Sequence, residues 1–183
     1  MRSIRTKIEL AVCLAVLGCS TGVAPPIGED REGPPERGGV LRTAFFTDVR
    51  GLDSATAFDT AASAIESLVY DGLVSYSDQG KIVPLLAERI DVSADGKRYV
   101  FPIRRGVTFH DGTPFDAAAV KANFDRIADP DTASAQAASM LGADYYAGTE
   151  VVDPHTAVVS FTQPHAPFLQ AASTAYLGFY SPK

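Results

Sequence analysis

From Val40 onward the apolar positions alternate between two periods along the chain. Spacing of two marks a strand with one buried face, and recurrence at three and four marks a helix. VLRTAFF (40–46) reads as a strand, and TDVRGLDSATAFD (47–59) as a loop. A helix is predicted from about Thr60 to Tyr70, with Ala61, Ile65, Leu68 and Val69 on one face and Asp59 placed to cap it. Leu73 to Tyr76 is a short strand turned by SDQGK. ERIDV (88–92) and RYVFPI (98–103) predict a hairpin around SADGK, where Asp95-Gly96 supplies the positive-φ position. Tyr99, Phe101 and Ile103 fall on one face of its second strand. Pro102 lacks an N–H, which suits an edge strand or a strand end.

The later half continues the mixture. A helix from about Ala117 to Ile127 sets Val120, Phe124 and Ile127 at core spacing, with Asp116 as its N-cap, and a second covers roughly Ala133 to Leu141. EVVDPHTAVVSF predicts a hairpin around Asp153-Pro154, and Pro167 to Ser173 a short helix. Strands and helices follow one another without regular βαβ alternation. The pattern therefore predicts a mixed α+β or α/β class and argues against a single doubly wound domain.

The first nineteen residues follow neither period. Arg2, Arg5 and Lys7 precede an apolar run, Leu10 to Gly18. Nine residues span about 14 Å as a helix, well short of a bilayer core of ~30 Å. The segment reads as a secretory signal peptide. It ends in Val16-Leu17-Gly18-Cys19, which resembles a lipobox, although Leu17 stands where a small residue is usual. Cys19 is thus the candidate lipidation site, and the membrane is a partner through that anchor. Residues 20–39 hold two Pro-Pro pairs and five glycines, with almost nothing apolar to bury. They read as a disordered tether able to reach about 60 Å at full extension.

Composition narrows the chemistry. With 183 residues, 46% hydrophobic and 21% charged, the chain has enough material for one cored domain or parts of two. A net charge of -6 without a basic run argues against nucleic acid as a partner. The two cysteines, Cys13 and Cys19, both lie in the exported leader, so the folded part has no thiolate for a metal or a nucleophile.

FHDGTPF (109–115) contains the one histidine set directly against an aspartate, His110-Asp111. Asp111-Gly112-Thr113-Pro114 is strong turn chemistry. No nucleophile or metal ligand stands at a useful spacing from it, so a corner is the better reading than a catalytic pair. His155 and His165 have no HxxxH partner, and GxSxG, GxGxxG and Walker patterns are absent. The residues therefore predict no enzyme and no cofactor.

LVYDGLV (68–74), GKIVPLLAERIDVSADGKRYVFPIRRGVTFHDGTPF (80–115), DPDTAS (129–134) and VVDPHTAVVSFTQPHAPFL (151–169) resemble family 5 of the extracytoplasmic solute-binding proteins, which serve peptide and nickel ABC importers. The similarity runs from about Gly39 to Lys183. The departures are Ser54 after Leu52-Asp53, Pro102 in VFPIRRG, and three alanines opening the helix after Asp116. The resemblance implies a periplasmic-binding-protein-like, type II two-lobe fold with only its N-terminal part present. It implies the first strand of lobe I, the family's extra domain and the return into lobe I within residues 40–183. It also implies a receptor at the periplasm or cell surface, whose partners are a peptide or similar small solute and the permease subunits.

Matched on the Leu-Asp of the early loop and on DPDTAS, the resemblance puts Phe58, Asp59, Thr60 and Gln136 at the cleft wall or rim. Main-chain hydrogen bonds would hold an extended peptide there, with its side chains in roomy pockets. Each has a plainer alternative: Asp59 a helix cap only, Phe58 core only. Rival readings of the whole chain are a truncated or remnant lipoprotein that binds nothing, a structural lipoprotein, and an exported hydrolase.

Overall fold

A computed structural model describes residues 37–40, 42–45, 47–49, 51–56 and 59–183. The signal segment with Cys19, most of the tether and Phe58 lie outside the described residues. The chain divides into two units, Met1–Arg42 and Thr43–Lys183, and every element below belongs to the second.

The centre of that unit is a four-stranded antiparallel sheet. It comprises β3 (Asp91–Val92), β4 (Arg98–Pro102), β5 (Tyr146–Asp153) and β6 (Thr156–Phe161), in the order β3-β4-β6-β5. The register pairs Tyr99 with Val159 and Phe101 with Ala157, so the alternating apolar residues of both strands share one face. The hairpin turns at Gly96, whose φ is 67°, as Asp95-Gly96 predicts. Pro102 is the last residue of β4, the strand-end option; β4 itself is an interior strand.

Helix α2 (Ala117–Ala128) covers that face against β5 and β6, burying Val120, Phe124 and Ile127. Its N-cap is Asp116, whose side chain accepts a bond from the Ala119 N–H at 2.9 Å. Phe168, from the short helix α4 (Phe168–Ala171), stands at the middle of the core. Its ring centroid lies 4.9 Å from Tyr99, 5.0 Å from Phe161, 6.0 Å from Phe124 and 6.1 Å from Phe101, all edge-to-face. Such pairs each contribute about 0.5–1.5 kcal/mol beyond the area they bury.

Several boundaries differ from the sequence reading. Helix α3 is Ala135–Leu141 and starts two residues late. Asp129 instead caps a 3₁₀ turn at Pro130–Thr132, and Ala133 takes φ 54°, which no helix tolerates. A second sheet pairs β1 (Val74–Tyr76) with β2 (Ile82–Pro84), a strand that the proline and short length of KIVPLL conceal. The described residues of 40–46 form no strand, and Val40 and Phe45 are exposed. A strand exists only by pairing, which apolar alternation cannot supply.

Helix α1 is the main correction. It spans only Thr60–Glu66, with Asp59 accepting from the Ala62 N–H at 2.7 Å. The chain then turns, Tyr70 N–H returning to the Glu66 carbonyl at 2.8 Å. Leu68 is left 85% exposed and Val69 43%, and the buried stripe becomes Ala61, Ala62 and Glu66. The cause is tertiary: this turn lets the Tyr70 hydroxyl reach the Leu52 carbonyl at 2.9 Å.

Candidate functional site

The His110-Asp111 segment is a corner. Phe109 N–H bonds the Thr113 carbonyl, Gly112 N–H bonds the Phe109 carbonyl, and Gly112 has φ 81°. Asp111 accepts from Ser181 Oγ and from the Thr113 N–H, both at 2.7–2.8 Å. Those two bonds, the serine's first, lower its carboxyl to about pH 2. A carboxylate held that acidic anchors a turn and accepts no proton at neutral pH.

The polar network is richest where the early loop meets the last residues. Asp53 takes a two-pronged bond from Arg126 of α2, at 3.1 and 2.5 Å. That guanidinium pushes the Asp53 carboxyl below its ordinary range. Arg126 also lies over the Tyr180 ring, 5.6 Å from its centroid. Asn123, buried on α2, donates to the Tyr180 carbonyl at 3.0 Å and accepts its N–H at 2.9 Å, closing a ring of bonds. The Tyr180 hydroxyl accepts the Ser54 N–H, and burial raises the phenol's titration. Loop 51–56 is thereby tied to α2 and to the C-terminal segment together.

Grooves open among the described residues of the second unit, three of them as follows. One of about 230 Å³ is apolar, between Val69, Leu86, Val107, Phe115 and Phe179, with His110 and Asp111 at its lip. Another, about 590 Å³, is bounded by Asp53, Asn123, Arg126, Tyr180 and Lys183. A third, about 550 Å³, lies between the ends of α2 and α3. Among the described residues no group of three acidic, histidine or cysteine side chains could hold a metal ion. No helix among them is long and apolar enough to cross a membrane.

Asp59, Thr60 and Gln136 line none of these three grooves. Asp59 is engaged as the cap of α1, and Thr60 is exposed at that helix's first turn. Gln136 is exposed on α3, whose buried side is Ala137 and Leu141. Asp59 and Thr60 are thus adjacent, and Gln136 sits on a separate helix. The sequence reading missed Asn123, Arg126 and Tyr180. Asn123 interrupts the apolar stripe of α2 between Val120 and Ile127, which was the available signal. It also missed Glu66, a charged residue four after Ala62 on the buried face of α1.

Comparison with known proteins fits this arrangement. The model of the bacterial extracellular solute-binding proteins, family 5 (middle), matches residues 81–181, more than half of the chain. The glutathione-binding protein GsiB of Salmonella choleraesuis is 38% identical over 135 residues, which are 72% of this chain and 25% of that protein. NikA from Brucella suis, solved in complex with Fe(III)-EDTA, superposes with a TM-score of 0.64 at 31% identity, over 72% of this chain and 26% of its own. An ABC transporter substrate-binding protein from Sinorhizobium meliloti gives 0.64 at 34%, with the same coverage. The chain therefore spans about a quarter of the length of the curated relatives it matches. Its mixed sheet and helices are part of a type II periplasmic-binding-protein fold. By the family match, the identity to its relatives and the superpositions alike, the chain belongs to family 5 of the bacterial extracellular solute-binding proteins.

Proposed function

We propose that this chain contributes to solute capture outside the cytoplasmic membrane, as part of the substrate-binding component of an ABC importer. The observation that carries the reading is the family match over residues 81–181. Relatives at 31–38% identity are named for binding glutathione and as an ABC transporter's substrate-binding protein, or hold a metal chelate. A peptide or a compound of that size, rich in amide and carboxylate groups, is the proposed solute, to be delivered to permease subunits. Cys19 would carry the lipid anchor and residues 20–39 the tether. Residues 40–183 would supply part of the solute-binding fold: an early segment of lobe I, the extra domain and the return.

The proposed contacts are Phe58, Asp59, Thr60 and Gln136. Thr60 supports the reading by its exposed hydroxyl, which can donate to a solute carbonyl or carboxylate. Asp59 holds that turn in place through its cap bond. Solute would favour a closed arrangement only by binding it more tightly than the open one. Isothermal titration of the 183-residue chain with glutathione, a dipeptide and a nonapeptide tests the proposal. Saturable heat with at least one of them is expected, weakened about two- to tenfold by Thr60→Ala, the worth of one neutral hydrogen bond. Absence of heat with all three at millimolar concentration would leave the non-binding lipoprotein as the better reading.

A further inference from the structure

Glu66 closes α1 with its side chain fully enclosed, at 0% exposure. Neither carboxylate oxygen has a hydrogen-bond partner among the described residues, and the Ser54 and Ser63 hydroxyls are likewise enclosed and unpartnered. Among the described residues, the groups around it offer no counter-charge. Asp53, from loop 51–56, spends its charge on Arg126, and Asp59 spends its own on the helix N-terminus. The Tyr70 hydroxyl, one turn on, donates its hydrogen bond to the Leu52 carbonyl. The 3₁₀ turn Ala175–Leu177 packed against α1 brings only Tyr176, and the Tyr180 beyond it is bonded to Ser54. An ionised carboxylate without a cation or donor is costly in an enclosed position, whereas the neutral acid can also donate a hydrogen bond to a neighbouring hydroxyl.

We propose that Glu66 is a proton-dependent latch for loop 51–56: as the neutral acid it lets the loop seat on α1, and as the carboxylate it favours the loop's release to water. Closing takes up one proton from solvent and opening returns it. Burial, then repulsion from Asp53 and Asp59, raise the Glu66 carboxyl above its ordinary 4.5, in the direction the latch requires. The closed loop is therefore fully favoured below pH 4.5, and that advantage is lost as pH rises through the raised value. Loop 51–56 runs directly into Phe58, Asp59 and Thr60, so on the solute-binding reading affinity would strengthen in mild acid. The latch itself does not depend on that reading.

The test is a carboxyl NMR titration of Glu66 in the full 183-residue chain, with amide exchange followed at residues 51–56 and 61–70. Glu66 should titrate above 4.5. Over the interval between that value and the raised one, the opening equilibrium of the loop, corrected for intrinsic exchange, should grow about tenfold per pH unit. Glu66→Gln should flatten that slope and keep the loop protected. An ordinary titration of Glu66 overturns the proposal, as does loop protection that is flat with pH in the wild type or equally sloped in the variant. Should Glu66→Gln not fold, the wild-type titration and exchange slope decide alone. No ligand is added, so failure here is separate from failure to bind solute.

Discussion

The sheet with α2 and the segment 51–70 belong to one compact unit, yet they are held by different physics. In the first, apolar strand faces meet an apolar helix face, and Phe168 touches four other aromatic rings. In the second, a seven-residue helix buries two alanines and a carboxylic acid, leaves Leu52, Leu68 and Val69 in solvent, and depends on a few long-range polar bonds. The first region is a frame that its own residues complete. By our proposals the second is the part whose state answers to protons and to solute.

The largest way to break this contrast is Phe168→Ala. Truncating the central ring should cost about 3–5 kcal/mol, and urea denaturation should show the loss as one lowered midpoint for the whole unit. Helix caps sharpen the contrast at smaller scale, since both helices begin on an aspartate. Asp116→Ala should cost about 1 kcal/mol of global stability, because α2 is part of the frame. Asp59→Ala should cost less globally and appear instead as faster amide exchange in residues 60–66, the signature of local opening. Equal global losses in the two cap variants would remove the distinction.

The same contrast explains what the sequence disclosed. Period-two and period-three patterns are written where a face is buried against many neighbours, so β4, β6 and α2 were legible to within a residue or two. Asp95-Gly96 and Asp111-Gly112 were legible because only certain residues take positive φ. Segment 60–70 misled because its apolar spacing continues past Glu66, while the bond from Tyr70 to Leu52 ends the helix. That bond joins residues 18 apart, and no local pattern encodes it. The Asn123–Tyr180 ring of bonds, 57 residues apart, was hidden for the same reason. For the candidate contacts, Asp59 as a cap was written in the chain, whereas the cleft role of Phe58, Thr60 and Gln136 came from resemblance alone.

The most direct test of the central claim is photo-crosslinking of the 183-residue chain with a benzophenone-bearing peptide, mapped by mass spectrometry. The account predicts adducts at residues 58–60 and 136, suppressed by excess unlabelled peptide. Competable adducts confined instead to the apolar groove between Val69 and Phe179, or no competable adduct, would contradict it.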